Sequence, residues 1–331
     1  MTSGQAPSLQ TELKRCPELW FDDGTIIIRA EDTLFRVYAG QLSRCSPVFK
    51  DTFSLPQPPL ADGVNELYEG CPLVVLNDSA ADIEAFLLAI FDVQCCLKTK
   101  DNVVFDNICS FASILRISTK YEAAMIRSQV LRSCLKAFPY TWRTAKKSHF
   151  FLEGYLFTTN RAICNSGKIF AFANVARETE SNLLLPFLLY LCCRFELPLI
   201  LDGAISSGEH AILNPENMRS VLVGRRILEH HAITDLMTKL SSHTADLPGH
   251  DDKFSTGIRC KNKILGLMIA RSSLPKNLLF HDPLCPSPKY STRRRVLATM
   301  CNSCAKWLDD TIELCKKDVW ERIPAIFGLD C

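Results

Sequence analysis

Two short stretches near the start of the chain have the hydrophobic pattern of β-strands. Thr25 to Ile28 is a β-branched run of strand length, and it follows the turn-forming segment Asp22-Asp23-Gly24. Thr33 to Tyr38 then alternates between apolar and polar positions, so that Phe35 and Val37 share one face. The pattern predicts a β-hairpin with one buried face.

After this hairpin the apolar positions change from a period of two to helical spacing. Ser46-Pro47 has the composition of a helix start, a capping side chain followed by a proline whose missing N–H costs nothing there. Val48, Phe49 and Phe53 then recur at intervals that place them on one side of a helix. The segment is expected to contain a pair of short helices.

A third strand and a further set of helices follow. Cys71 to Leu76 is predicted to be a strand, and Ser79 with Asp82 resembles a capping box at the start of the next helix. Two more helical stretches are expected, from Phe105 to Ser118 and from about Tyr121 to Phe138. The phases of these patterns predict a small three-stranded sheet flanked by helices, with one core formed by Phe35, Val37, Phe86, Ile90 and Leu115.

Beyond Pro139 the pattern becomes helical, with polar or proline-rich segments between the helices. Asn214-Pro215-Glu216 opens one helix with a capping asparagine and a proline in the first turn. The sequence therefore predicts an α+β fold followed by a mostly α-helical region. The helices of that region are expected at Ser166–Arg177, Asn182–Phe195, Pro215–Ser241 and Ser291–Ile323.

The order of these elements resembles the BTB/POZ domain, a protein-interaction module. The resemblance is carried by FDDGTIIIRAEDTLFRVYAGQLSRCSPVFKDTF at 21–53 and by ASILRISTKYEAAMIRSQVLRSCL at 112–135. In the second half, NVARETESNLLLPFLLYLCCRFE and VWERIPAIFGL are similar to the BTB group of basidiomycete fungi. The resemblance implies a flexible N-terminus at 1–17, a BTB/POZ domain at 18–138 and a helical C-terminal region at 139–331.

Composition and charge favour an intracellular protein, in the cytoplasm or the nucleus. Hydrophobic residues make up 47% of the 331 residues, which is enough for two domain cores, and the formal net charge is only +2. The N-terminal MTSGQAPSLQ lacks a basic segment followed by an apolar run, so no secretory signal is expected. The apolar tract Leu183–Cys193 is shorter than the ~20 residues that a spanning helix needs, so no membrane association is expected.

The chain has 16 cysteines, and two interpretations remain for four of them. Most cysteines lie in apolar helical patterns, where the side chain behaves as a small hydrophobic group, so reduced buried thiols and no metal or cofactor are expected. The alternative is a zinc site formed by Cys260, Cys285 and the C-x-x-C pair Cys301 and Cys304, with His281 beside Cys285.

The sequence contains no motif that points to catalysis or to nucleic-acid binding. The chain has no G-x-S-x-G elbow, no P-loop and no G-x-G-x-x-G, and nothing brackets a particular histidine, so a non-enzymatic protein is expected. His230-His231 lies on a predicted helix, where adjacent residues point to different faces and do not share one metal. Arg293-Arg294-Arg295 near Lys289 fits an exposed helix face better than an import or nucleic-acid patch, given the near-neutral net charge.

The resemblance to BTB domains also implies protein partners, including a second copy of the chain. BTB dimers commonly bury the first helices and an exchanged N-terminal strand, which here implicates Leu42, Val48, Phe49 and Leu19-Trp20. The chain departs from transcription-factor BTB domains, because Tyr38, Ala39 and Thr25 stand where that group has a buried charged pair. Repressor recruitment of that type is therefore not expected.

A cullin scaffold is an alternative partner. Cullin-adaptor BTB domains often carry a hydrophobic–x–Glu triplet in the loop before the third strand, and Leu67-Tyr68-Glu69 and Val64-Asn65-Glu66 both fit it. The leading expectation is a protein–protein interaction protein. The alternatives are a substrate adaptor of a cullin-type ubiquitin ligase, and a metal-binding protein or enzyme in the helical half.

Overall fold

The protein has a mixed α+β fold built from two units, Met1–Cys134 and Leu135–Cys331. A computed structural model describes residues 13–55, 67–92, 108–147, 159–206, 209–242 and 300–329, together with Cys260, Asn262 and Leu284. The α+β class and the helical character of the second half are as predicted from the sequence.

The first unit contains a five-stranded sheet instead of the three strands predicted. The predicted hairpin is confirmed, since Ile28 pairs with Phe35 in antiparallel strands, and the predicted third strand pairs in parallel with the first strand of that hairpin, Ile28 beside Val74. The strands are β1 Lys14–Trp20, β2 Ile26–Ala30, β3 Thr33–Val37, β4 Leu67–Tyr68 and β5 Cys71–Leu76, in the spatial order β1-β3-β2-β5-β4.

Strand β1 corrects the expectation of a flexible segment through residue 17. Lys14 to Trp20 runs parallel to β3, with Lys14 beside Thr33 and an irregularity between Arg15 and Trp20. Leu19 is fully buried and Cys16 is buried, while the other positions of the strand remain more exposed. Because this edge strand buries side chains three residues apart, it lacks the simple alternation that identifies strands in a sequence.

Helices follow the strands in the predicted order, and two predicted caps are formed. The Ser46 hydroxyl accepts a hydrogen bond from the backbone N–H of Phe49 at 3.1 Å, and the Ser79 hydroxyl accepts one from Asp82 at 3.2 Å. The helices of this part of the chain are α1 Ala39–Cys45, α2 Pro47–Ser54, α3 Ala80–Phe91, α4 Ile108–Lys120 and α5 Ala124–Ala137.

The predicted core residues of the first unit are all buried. Phe86 has no exposed surface and lies beside Phe49 and Tyr121, with ring centroids 6.4 Å from each. Phe49 and Tyr121 are themselves stacked at 4.5 Å. Phe35, Val37, Leu115 and Ile90 are buried as well, as the phases of the strand and helix patterns predicted.

The second unit is mainly helical, with one small hairpin that the sequence patterns did not indicate. Asn214 caps its longest helix as predicted, since its side-chain oxygen accepts the N–H of Asn217 at 2.7 Å. The helices are α6 Trp142–Lys147, α7 Thr159–Glu178, α8 Leu185–Cys193, α9 Leu197–Asp202, α10 Pro215–Ser242, α11 Asn302–Glu321 and α12 Ile323–Ile326, and the hairpin is β6 Ala204–Ser206 with β7 Glu209–Ala211.

The boundary between the units falls a few residues before the predicted one at 138/139. Phe138 packs against Phe172 and Phe187, with ring centroids 5.7 and 6.3 Å away. All three belong to the second unit, so Phe138 belongs to its core and not to that of the first unit. The strongly apolar α8 is buried along its length, and no helix in the described ranges is long and apolar enough to cross a bilayer.

Candidate functional site

The hairpin formed by β4 and β5 carries the two residues predicted to contact a cullin. Leu67 pairs with Pro72 and Tyr68 with Cys71, and the connecting turn uses Glu69 and Gly70, both with positive φ. The triplet therefore lies in a strand and a tight turn, not in the loop expected from the sequence. We call residues 67–76 the edge hairpin, because β4 is the last strand of the sheet.

Leu67 and Glu69 differ in how available they are to a partner. The Leu67 side chain is 59% exposed, so a partner could bury it. The Glu69 carboxylate forms an ion pair with Arg15, whose guanidinium also lies over the ring of Trp20 at 4.5 Å. The second triplet, Val64-Asn65-Glu66, lies outside the described residues.

The residues predicted from BTB dimers are mostly unavailable to a partner. Leu42 and Phe49 are buried inside the unit, and Leu19 is buried as well. Val48 and Trp20 are partly exposed. The side chains of Leu42 and Phe49 therefore pack within the chain, and their role in a dimer stays a prediction.

Tyr38, Ala39 and Thr25 take part in hydrogen bonds near the start of β2. The Tyr38 hydroxyl donates to the carboxylate of Asp23 at 2.6 Å, and this hydrogen bond raises the pKa of Tyr38. The Thr25 hydroxyl accepts the backbone N–H of Ala39 at 3.0 Å. These hydrogen bonds join the start of β2 to the start of α1.

Asp78 joins the end of β5 to the last residue of α4. Its two carboxylate oxygens accept from the Lys120 ammonium and the Tyr121 hydroxyl, each at 2.6 Å. Burial, and then the bond to Asp78, raise the pKa of Tyr121. The backbone oxygen of Tyr121 also accepts the hydroxyl of Ser46. Lys120 and Tyr121 thus hold the end of α4 against the end of β5 within the first unit.

In the second unit, three of the four cysteines considered for zinc lie together. The sulfur atoms of Cys260, Cys301 and Cys304 are all within 4.8 Å of one another, and those of Cys260 and Cys301 are 3.9 Å apart. Cys285 and His281 lie outside the described residues. This convergence fits the zinc alternative named from the sequence, and the C-x-x-C spacing of Cys301 and Cys304 was its signal.

The two cysteines of the C-x-x-C pair have different electrostatic surroundings. Burial opposes ionisation of Cys301, but hydrogen bonding from the backbones of Cys304 and Ser303 and from neighbouring thiols leaves its pKa lowered. Burial raises the pKa of Cys304 to about 12, with further contributions from Cys301 and Cys260. We call Cys260, Cys301 and Cys304 the thiol cluster.

The remaining candidates add no further site. His230 and His231 are adjacent residues of α10, with ring centroids 6.1 Å apart and ring planes inclined by 64°. The basic run Arg293-Arg294-Arg295, with Lys289, lies outside the described residues.

No protein-family model matches the chain, and neither the curated proteins nor the solved structures contain a match to it.

Proposed function

We propose that the first unit, from Lys14 to Cys134, is a BTB/POZ-type module and that the chain is a non-enzymatic protein–protein interaction protein. The arrangement of the first unit supports this proposal. An antiparallel hairpin leads into two short helices, a parallel strand, a capped helix and a final helix pair, in the order that the family has. The proposed setting is the cytoplasm or the nucleus, where buried thiols such as Cys134 and Cys192 remain reduced.

The exposed edge hairpin is the observation on which the proposed contact rests. Edge strands present backbone N–H and C=O groups that another chain can pair with. Among the described residues, β4 is the last strand on its side of the sheet, and the side chains of Leu67 and Val75 are exposed in the same hairpin. A partner that covers the hairpin would gain both backbone hydrogen bonds and apolar burial.

Leu67 is the proposed anchor of that contact. Truncation of a buried apolar anchor at a hot spot of an interface commonly costs about 2 kcal/mol or more, whereas removal of a charge at the rim costs less. Glu69 is already paired with Arg15, so a partner would have to break that ion pair to use the carboxylate. Leu67 is therefore expected to contribute more to the binding free energy than Glu69.

A cullin-type scaffold is the second candidate partner. It is favoured by the exposure of Leu67, the hydrophobic member of the cullin-adaptor triplet. The ion pair between Glu69 and Arg15 makes the glutamate a weaker part of that motif. In an adaptor, the cullin would bind the first unit and the substrate would bind elsewhere on the chain.

Affinity capture with matched variants tests the proposal. The full chain is captured from native extract as the wild type, as Leu67→Asp and as Leu183→Asp, and co-purifying proteins are quantified by mass spectrometry. Leu183 is a suitable control because it is a leucine of the second unit with similar exposure, 61%. We expect a partner that is retained by Leu183→Asp and lost from Leu67→Asp, with unchanged melting temperatures.

The identity of the lost partner separates the two candidates. A cullin in that set supports the adaptor function, whereas a second, differently tagged copy of the chain supports a homodimer. If every captured protein is retained equally by both variants, then the edge hairpin is not the contact and the proposed function loses its main support.

A further inference from the structure

The spacing of the thiol cluster fits the dimensions of a tetrahedral metal site. Zinc binds cysteine sulfur at about 2.3 Å, so two sulfur atoms on one tetrahedral ion lie about 3.8 Å apart. The sulfur atoms of Cys260 and Cys301 are 3.9 Å apart, and all three pairs fall within 4.8 Å. Each sulfur–sulfur separation is therefore at most about 1 Å longer than in a tetrahedral site.

The local backbone explains why two of these sulfurs converge. Cys301 is the cap residue of α11, and its carbonyl accepts the N–H of Ala305 at 2.9 Å. Cys304 lies almost one helical turn further on, so both thiols project from the same side of the helix start. Cys260 reaches them from a segment 41 residues earlier in the chain.

Neither a disulfide nor simple apolar burial accounts for this geometry as fully as a metal does. A separation of 3.9 Å is nearly twice the sulfur–sulfur bond length of about 2.05 Å, so the Cys260–Cys301 pair is not a disulfide. Burial of thiols as apolar groups explains why Cys260 and Cys304 pack with Met300 and Leu308. It does not require three sulfur atoms to lie around one point.

We propose that Cys260, Cys301 and Cys304 bind one zinc ion that holds the two segments of the second unit together. Three thiolates supply three corners of the tetrahedron, and one further donor completes it. Soft thiolate ligands in tetrahedral geometry favour zinc among the common divalent metals. The contact between Cys260 and the start of α11 would then be held by three zinc–sulfur bonds. The hydrophobic cluster around Met300 and Leu308 would shield these bonds from water.

This site is independent of the function proposed above. All three ligands lie in the second unit, whereas the edge hairpin lies in the first. Loss of zinc would therefore leave capture through Leu67 testable on its own, and failure of that capture would not bear on zinc.

Elemental analysis of the purified full chain tests the proposal. We expect about one zinc ion per chain in the wild type, and at most about a tenth of that in Cys301→Ser and in Cys304→Ser. Cys315→Ser is the matched control, because Cys315 lies on the same helix and is partly buried outside the cluster. It should retain the full zinc content.

Measurements on the wild-type chain keep the test valid if the variants fail to fold. Removal of zinc with a chelator should lower the melting temperature of the wild type and of Cys315→Ser. Cobalt added to the stripped protein should give the thiolate-to-metal absorption of a tetrahedral site. A wild-type chain without zinc that takes up no cobalt would overturn the proposal, and so would full zinc content in Cys301→Ser and Cys304→Ser.

Discussion

At the scale of single residues, the Asp78 carboxylate connects the sheet to the helices of the first unit. It accepts from the largely exposed Lys120 ammonium and from the hydroxyl of the buried Tyr121. A hydrogen bond between a buried hydroxyl and a carboxylate is stronger than an exposed ion pair, which contributes about 0–1 kcal/mol. The hydroxyl contact should therefore contribute more of the stability.

A pair of double-mutant cycles measures that difference. Asp78→Ala should lower the free energy of unfolding by about 1–3 kcal/mol, since it leaves the Tyr121 hydroxyl without its acceptor. The cycle with Tyr121→Phe should give a coupling energy of about 1 kcal/mol or more, and the cycle with Lys120→Ala a smaller one. Equal couplings in urea denaturation would show that this view of the contact is wrong.

The ring of Phe86 provides a second residue-scale prediction. It is fully buried and packs with Phe49 and Tyr121. Phe86→Ala should reduce the free energy of unfolding by about 3–5 kcal/mol, because it removes apolar contacts and leaves a cavity. Phe86→Leu, which keeps most of the volume, should cost clearly less. A loss below about 1 kcal/mol for the alanine variant would contradict the predicted packing.

The buried thiol of Cys134 should make stability depend on alkaline pH. Burial raises its pKa from the ordinary 9.0 to about 12, so the thiol stays protonated in the folded protein while it ionises in the unfolded chain. The contribution of this thiol to the free energy of unfolding is complete below pH 9 and is lost as the pH rises toward 12. Over that range the free energy of unfolding falls by up to about 1.4 kcal/mol per pH unit.

Comparison with Cys134→Ala isolates this effect from other ionisations. Between about pH 8 and pH 10, the stability advantage of the wild type over the variant should shrink by about 1 kcal/mol. Urea denaturation at the two values provides the measurement. An advantage that stays constant or grows would show that the thiol is not protected from ionisation in the folded state.

At the scale of secondary-structure elements, features set by residues close together in the sequence were predicted correctly. Pairing between segments far apart in the chain was not. The caps at Ser46, Ser79 and Asn214 were predictable because the capping side chain and its backbone partner are three residues apart. Strand β1 was missed because it pairs with β3, which lies further along the chain, and β4 was missed because two residues are too few to show an alternation. Cys260 could be grouped with Cys301 and Cys304 by residue type, but only tertiary folding brings their sulfur atoms together.

The two serine caps of the first unit should differ in their effect on stability. The Ser79 hydroxyl caps one helix, so Ser79→Ala should cost about 1 kcal/mol. The buried Ser46 hydroxyl caps α2 and also donates to the backbone oxygen of Tyr121, so Ser46→Ala should cost about 1 kcal/mol more. The ranking can be read from chemical denaturation, and a larger loss for Ser79→Ala would contradict it.

At the scale of the whole molecule, the chain combines a small mixed unit with a larger helical one. The sequence was sufficient to predict the structural class of each unit and most of its helices. Hydrophobic periodicity and helix caps depend on residues that are close together in the chain, so they can be recognised in a sequence. The candidate sites were predicted less well, since residue type does not reveal exposure. Leu42 and Leu67 are both leucines in amphipathic segments, yet one is buried and the other is exposed.

Site-specific photo-cross-linking tests the proposed contact most directly. A photoreactive phenylalanine replaces Leu67 in one full-length sample and Leu183 in another, and each is irradiated in native extract. We expect a discrete protein adduct from position 67 and none from the similarly exposed position 183. The absence of an adduct at position 67, or the same adducts from both positions, would contradict the claim that this protein acts by binding a partner at its edge hairpin.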